Sequence, residues 1–251
     1  MSAELFELLL RLGDDRLVLG HRLSEWCGHA PIVEEDIALA NVALDCIGQA
    51  SQFLELAGEI EGEGRDADAL AFLRDPTQFR NCLLVEQPNG DFAQTIARQV
   101  LFDAAGAHVL AQLADSTHER LAAIARKAAN EVRYHVRHAR DWWLRLGLGT
   151  DEAHARLQAG LDELWPHAAE LVTPDALDAA LCASGVGPDL AAVRVEFERD
   201  VAALIAAANL RRPPDAPNAS DGGRRGKHSE HLDHLLSEMQ CVARAHPGAR
   251  W

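Results

Sequence analysis

One apolar line constrains this chain more than any other feature. Over roughly 117–146, Leu121, Ala125, Ala128, Val132, His135, Ala139, Trp142 and Leu146 recur in steps of four and three, the spacing that keeps side chains on one face of an α-helix. A strand would need a period of two. The stretch therefore predicts a helix of about eight turns, with one stripe that must be buried against other helices. His135 falls on that inward line, and Glu131 stands one turn before it on the same face. A carboxylate and an imidazole so placed, facing a bundle interior, look like half of a metal site.

Three more segments read the same way. Leu5, Leu8, Leu12, Leu19, Leu23 and Trp26 share a face over about 3–26, with Asp15 on the same line. A helix over about 33–60 is apolar almost all round between Ile37 and Ile47, which predicts burial on every side and makes Asn41 and Asp45 buried polar groups in need of partners. Asp91 is the predicted N-cap of a helix over about 92–114, where Ile96, Val100, Ala104 and Ala107 face the core and Gln99 and Asp103 form a polar pair beside it. Ser116-x-x-Glu119 predicts a capping box for the next helix. Shorter helices are expected over about 151–171, 174–183 with Thr173 as cap and Pro174 first, 188–210 and 229–245, with a break from Arg211 through Pro217. No strand pattern competes. Four helices far longer than the average of about 11–12 residues, with short loops between neighbours, predict an all-α fold. It is a ferritin-like long-helix bundle forming a single domain over 1–251, with its core over about 3–147 and additional C-terminal helices over about 151–246.

A net charge of −15 argues against a nucleic-acid binder. Cys27, Cys46, Cys82, Cys182 and Cys241 contain no Cys-x-x-Cys pair, and such a scattered, odd set reads as buried free thiols in a reducing compartment. The longest uninterrupted apolar run, near 201–208, falls short of the ~18 residues of a membrane span, and no secretory signal precedes the first helix. The expectation is a cytoplasmic protein without membrane contact.

In a di-iron bundle, two helices supply carboxylates and two supply Glu-x-x-His. The comparable positions here are Asp15, Asp45, Gln99 or Asp103, and Glu131, with His135 nearby. Asp45-x-x leads to Gly48 and Glu131-x-x to Tyr134, so both expected histidines are absent, and His135 lies about 100° further round the helix. Iron favours imidazole and carboxylate together. These positions are expected to be vestigial, held in a buried hydrogen-bond network, with no metal and no catalytic group in this chain. The His228, His231 and His234 group and the His135, His138 pair are weaker metal candidates. From Arg211 to His228 five cations stand against Asp215 and Asp221. Gly222-Gly223-Arg224-Arg225-Gly226-Lys227 precedes a helix N-terminus, a favourable place for an anion. Arg224, Arg225 and Lys227 are the candidate contacts to a phosphate-bearing ligand. Neither Gly-x-Ser-x-Gly nor a phosphate-loop spacing occurs.

Several segments together carry a resemblance: Leu12-Gly13-Asp14, Glu25 to Pro31, Leu39-Ala40-Asn41, Gly48-Gln49-Ala50, Leu83 to Phe92 with its Val-Glu-Gln-Pro-Asn-Gly core, Glu131 to His135, and Gly226 to Leu232. The chain resembles the structural C subunits of bacterial 1,2-phenylacetyl-CoA epoxidase, the ring-oxygenating monooxygenase of aerobic phenylacetate breakdown. The resemblance implies a ferritin-like subunit that supports a related catalytic subunit bearing the di-iron centre. It further implies a small bridging subunit and a flavin and iron–sulfur reductase drawing on NADPH. Arg224, Arg225 and Lys227 would then meet coenzyme A phosphates. A homodimer of the isolated chain is a further expectation. The competing readings are a self-sufficient di-iron oxygenase using Asp45, Glu131 and His135, and a helical binding module for an acidic or phosphate-bearing partner.

Overall fold

The computed structural model describes residues 2–215 and 222–249. Residues 216–221, including Asp221 of the basic stretch and the end of the expected break, lie outside the described residues. The fold is all-α and ferritin-like in class, with no strand among the described residues. Four long helices dominate: α1 (Ser2–Ser24), α2 (Val33–Glu61), α5 (Phe92–Leu113) and α6 (Glu119–Gly147). Between α2 and α5 come α3 (Ala67–Phe72), a 3-10 turn (Pro76–Gln78) and α4 (Leu83–Glu86). After α6 come α7 (Asp151–Ala168), α8 (Ala176–Ala183), α9 (Leu190–Ala207), α10 (Glu230–Met239) and α11 (Cys241–Ala245).

The chain forms two compact units, one of residues 1–88 with 222–251 and one of 89–221. In the first, α1 and α2 pack along their lengths, and α3, α4 and α10 close around them. Leu9, Leu19, Leu23, Leu39, Phe53 and Leu54 fill the core between them. By length and mean hydropathy α2 would suffice to cross a bilayer, though its apolar residues include the core that packs on α1. The expectation of burial on every side of α2 fails. Val33, Ile37 and Leu44 are 72%, 58% and 67% exposed, Asn41 is exposed and Asp45 is half-buried. A helix packed mainly on one neighbour hides one side only, and apolar composition does not say how many neighbours are present.

In the second unit, α5 packs against α6, α7 and α9. The buried line of α6 follows Leu121, Ala125, Ala128, Val132, His135 and Ala139 as the spacing predicts, and then shifts by one residue to Trp143 and Gly147. Trp143 is fully buried and donates its ring N–H to the carbonyl of Leu204 at 2.9 Å, whereas Trp142 sits at the margin, edge-on to Phe92 at 5.0 Å. Over eight turns a repeat of 3.6 outruns alternating steps of four and three, so the inward position drifts.

Two predicted caps are replaced by others. The N-cap of α6 is His118, whose Nδ1 accepts from Leu121 N–H at 3.3 Å, while the Ser116 hydroxyl donates to the carbonyl of Val186 at 2.8 Å. The N-cap of α8 is Asp175, and Thr173 donates back to the carbonyl of Ala169 at 2.7 Å. Both hydroxyls are drawn off by carbonyls that helix-start patterns do not reveal. Asp91 caps α5 as expected, accepting from Gln94 N–H at 2.9 Å. All five cysteines are free thiols, but the expected burial holds only for Cys46 and Cys82; Cys182 is half-buried, and Cys27 and Cys241 are exposed.

Candidate functional site

The densest chemistry lies in the first unit, where α1 carries two adjacent carboxylates, Asp14 and Asp15, only 0% and 5% exposed. Neighbouring helical side chains diverge by about 100°, so each needs its own partner, and a buried charge without one is costly. Asp14 takes Arg74, whose Nη1 donates to Oδ2 at 3.0 Å and whose Nη2 donates to Oδ1; the Arg80 N–H adds a bond to Oδ2 at 2.8 Å. Asp15 takes Arg224 through a two-pronged contact, Nη1 to Oδ1 at 2.9 Å and Nη2 to Oδ2 at 2.8 Å, with the Cys82 N–H donating at 2.7 Å. Parallel guanidinium–carboxylate bonds of this kind are among the strongest polar contacts.

A third carboxylate, Glu86, has no exposed surface. It accepts from the His228 ring at 2.8 Å, from the Ser229 N–H at 2.6 Å and from the Asn81 amide at 2.9 Å. Ser229 is the N-cap of α10. The anion that the sequence calls for at this helix start is therefore supplied by the protein itself. Burial alone would lower the pKa of His228; the hydrogen bond and charge of Glu86, the Phe79 carbonyl and the field of Asp14 override it and hold the ring above its ordinary value.

The glycines of the basic loop permit this docking. A Cβ on Gly223 would lie 2.2 Å from the carbonyl oxygen of Asn81, and one on Gly226, at φ 71°, would lie 2.2 Å from that of Thr77. The loop thus lies directly on the segment before α4. The result is a clamp: buried carboxylates on α1 and α4 hold a stretch of chain 142 to 209 residues later through Arg224, His228 and Ser229.

The three candidate cations separate accordingly. Arg224 is turned inward on Asp15, its Nη1 also 2.9 Å from the Arg80 carbonyl, whereas Arg225 and Lys227 are exposed. The carbonyl of His231 accepts from Arg22 at 3.1 Å, and exposed His234 lines an open cleft with His21.

The other candidate positions are dispersed. In the second unit Gln99 donates to Asp103 at 2.9 Å, both 2% exposed. His135 is buried at 1% exposure. Glu131 is not fully buried as expected, since its side chain is 25% exposed with Lys127 at 4.0 Å. Tyr134, at the site of an expected histidine, is 40% exposed and stacks on His138 at 6.0 Å. Among the described residues no group of three or more His, Cys, Asp or Glu is placed to hold a metal ion.

Sequence reasoning missed Asp14, Arg74, Glu86 and Asn81. A usable signal existed for one of them: Glu86 ends the apolar run Leu83-Leu84-Val85, and a charge inside such a run calls for a buried partner.

Comparison with known proteins agrees with the helical frame. The family model for phenylacetic acid catabolic proteins matches residues 1–251. The C subunit of the 1,2-phenylacetyl-CoA epoxidase of Escherichia coli (strain K12) is 49% identical over 242 residues, covering 96% of this chain and 97% of that protein. An all-α frame matched from end to end and a relative of nearly equal length at such identity carry one conclusion: this chain belongs to the phenylacetic acid catabolic protein family.

Proposed function

We propose that this chain is the non-catalytic structural subunit of a multicomponent phenylacetyl-CoA epoxidase and acts in the cytoplasm in aerobic phenylacetate catabolism. The observation that carries the reading is the near full-length identity to a protein named as the C subunit of that enzyme. The family match over 1–251 as one stretch supports treating the chain as one ferritin-like domain. A related ferritin-like subunit would hold the di-iron centre and perform the oxygenation. A small bridging subunit and a flavin and iron–sulfur reductase supplied by NADPH would complete the assembly.

The donor inventory supports a supporting role. Asp15 is occupied by Arg224, Asp103 by Gln99, and Glu131 stands beside Lys127. Each of these three carboxylates, comparable to ligands of a di-iron bundle, thus has a cation or amide partner within its own unit, and among the described residues no three His, Cys, Asp or Glu gather to hold a metal ion. The exposed apolar row Val33, Ile37 and Leu44 on α2 supports helix packing against a partner subunit. Exposed Arg225 and Lys227 support a role near coenzyme A phosphates.

The test is purification of the complex from cells degrading phenylacetate, followed by separation of its chains and elemental analysis. The expected result is co-purification with a ferritin-like subunit that carries all the iron. Two irons on this chain, with turnover in the absence of any partner, would replace the proposal with a self-sufficient oxygenase. Isolation without any such partner would favour a separate binding module.

A further inference from the structure

The second unit contains a cavity of about 250 Å³ between the end of α7 and α9. Its origin is local. Pro166 lies inside α7 without an N–H for the preceding turn, and the helix soon gives way to a 3-10 turn at Ala169–Leu171. Both α7 and α9 pack on α5, and they meet each other more sparsely than either meets it. The space left is walled by Trp165, Ala168, Val172, Phe197, Ala202 and Ile205. Phe197 and Ile205 are buried core residues at 4% and 5% exposure, so the pocket reaches from the surface to the core.

The rim differs from the walls. Arg194 and Arg212 stand there with Glu198 and Asp215. Arg194 gives Glu198 one bond through Nε at 2.8 Å, and Arg212 gives Asp215 one at 3.3 Å. These side chains are 44% to 81% exposed, and pairs of this kind contribute little and exchange readily. Each guanidinium has five donors, and among the described residues these are the bonds that each makes at the rim. The Arg212 guanidinium also lies over the Trp165 ring, 5.2 Å from its centroid, which holds the cation at the mouth.

We propose that this cavity binds a small aromatic acid, one ring inside against Trp165 and Phe197 and a short carboxylate at Arg194 and Arg212. Size favours a single ring: a dry apolar cavity of ~150 Å³ admits benzene, and the space here leaves room for an arm of one or two carbons. Two aromatic walls offer a ring edge and face contacts. The two guanidiniums at the mouth favour a carboxylate over an amine or a neutral group. The lining residues belong to the second unit, whereas the clamp, Arg225 and Lys227 belong to the first, and the inference does not rest on the proposed role of the chain in an epoxidase.

The experiment uses the full chain and 4-fluorophenylacetate as the probe, followed by fluorine NMR. Saturable binding with a Kd below ~1 mM is expected. Ala202 is exposed on α9, so Ala202→Trp should leave the melting temperature unchanged while filling the pocket and weakening binding at least about tenfold. The Arg194→Ala/Arg212→Ala double variant should weaken the acid about tenfold and leave the weaker binding of 4-fluorobenzyl alcohol unaltered. No saturation by about 10 mM would overturn the assignment, as would unchanged binding to a folded Ala202→Trp protein or equal affinity for acid and alcohol. Should Ala202→Trp fail to fold, the arginine variant decides alone, since both arginines are about half exposed.

Discussion

The ring of His228 lies between two acceptors, the Glu86 carboxylate 2.8 Å from Nδ1 and the Phe79 carbonyl 3.1 Å from Nε2. Neither acceptor can donate, so both ring nitrogens must, and only the imidazolium has two N–H groups. Geometry and the raised pKa therefore agree on a charged histidine in the clamp.

A folded-state pKa above the unfolded value stabilises the protein fully below the unfolded value, near 6.5, and the contribution fades as pH rises through the folded one. Urea unfolding of the wild type should therefore show stability falling from mildly acidic to alkaline pH. His228→Gln should flatten that slope over the same window. A variant that keeps the wild-type slope would place the titrating group elsewhere.

The Asp15–Arg224 pair should behave as a buried unit, since the side chains are 7% and 17% exposed. Removing either partner leaves the other uncompensated, and Arg224→Ala or Asp15→Ala should each cost about 3 kcal/mol, the low end for breaking a buried pair. In a double-mutant cycle the combined loss should fall short of the sum by at least about 1 kcal/mol. Strict additivity would show that the two-pronged contact contributes nothing of its own.

How much of this was legible in the sequence depends on the range of the interaction. The four long helices follow from periodicity, because burial of one stripe is a local pattern repeated over many turns. The clamp follows from nothing local. Asp14 meets Arg74 across 60 residues and Asp15 meets Arg224 across 209, and a lone Asp or Arg carries no mark of its partner. The anion at the start of α10 was legible as a need, yet its source, Glu86, was not. The same limit explains α2. Apolar residues at Ile37 and Leu44 read as core, and only the packing shows that they face outward.

Gly226→Ala tests the close approach of the basic loop. The residue sits at φ 71° and its new Cβ would meet the Thr77 carbonyl at 2.2 Å. Strain and collision together should cost at least about 1 kcal/mol. They should also speed proteolytic cleavage within the basic loop, which gel electrophoresis would follow. An unchanged digestion pattern would mean that the loop docks without that contact.

The exposed row on α2 predicts a separation of stability from assembly. Leu44 is 67% exposed, so Leu44→Glu should change the unfolding free energy by no more than about 0.5 kcal/mol. Set against a partner helix, the same charge should weaken association about tenfold or more, measured by sedimentation of the reconstituted complex. Full assembly of the Leu44→Glu chain would exclude this face from the contact.

Arg224, Arg225 and Lys227 sit within four residues of one another, yet the structure assigns them different work, and kinetics can separate them. Arg224 is turned in on Asp15, so Arg224→Ala should lower stability before it alters substrate use. Arg225 and Lys227 are exposed. Their joint replacement by alanine should lower the melting temperature less than Arg224→Ala does, since Arg224 is paired with a buried carboxylate in the clamp. If they meet coenzyme A phosphates, KM for the thioester should rise with kcat nearly constant, because contacts to a distant phosphate bind ground state and transition state alike. Each charge-assisted bond lost is worth roughly 1–3 kcal/mol, so the loss of two predicts a rise in KM of about thirtyfold or more for the pair. A KM unchanged in the assembled enzyme would remove coenzyme A from the account of this loop.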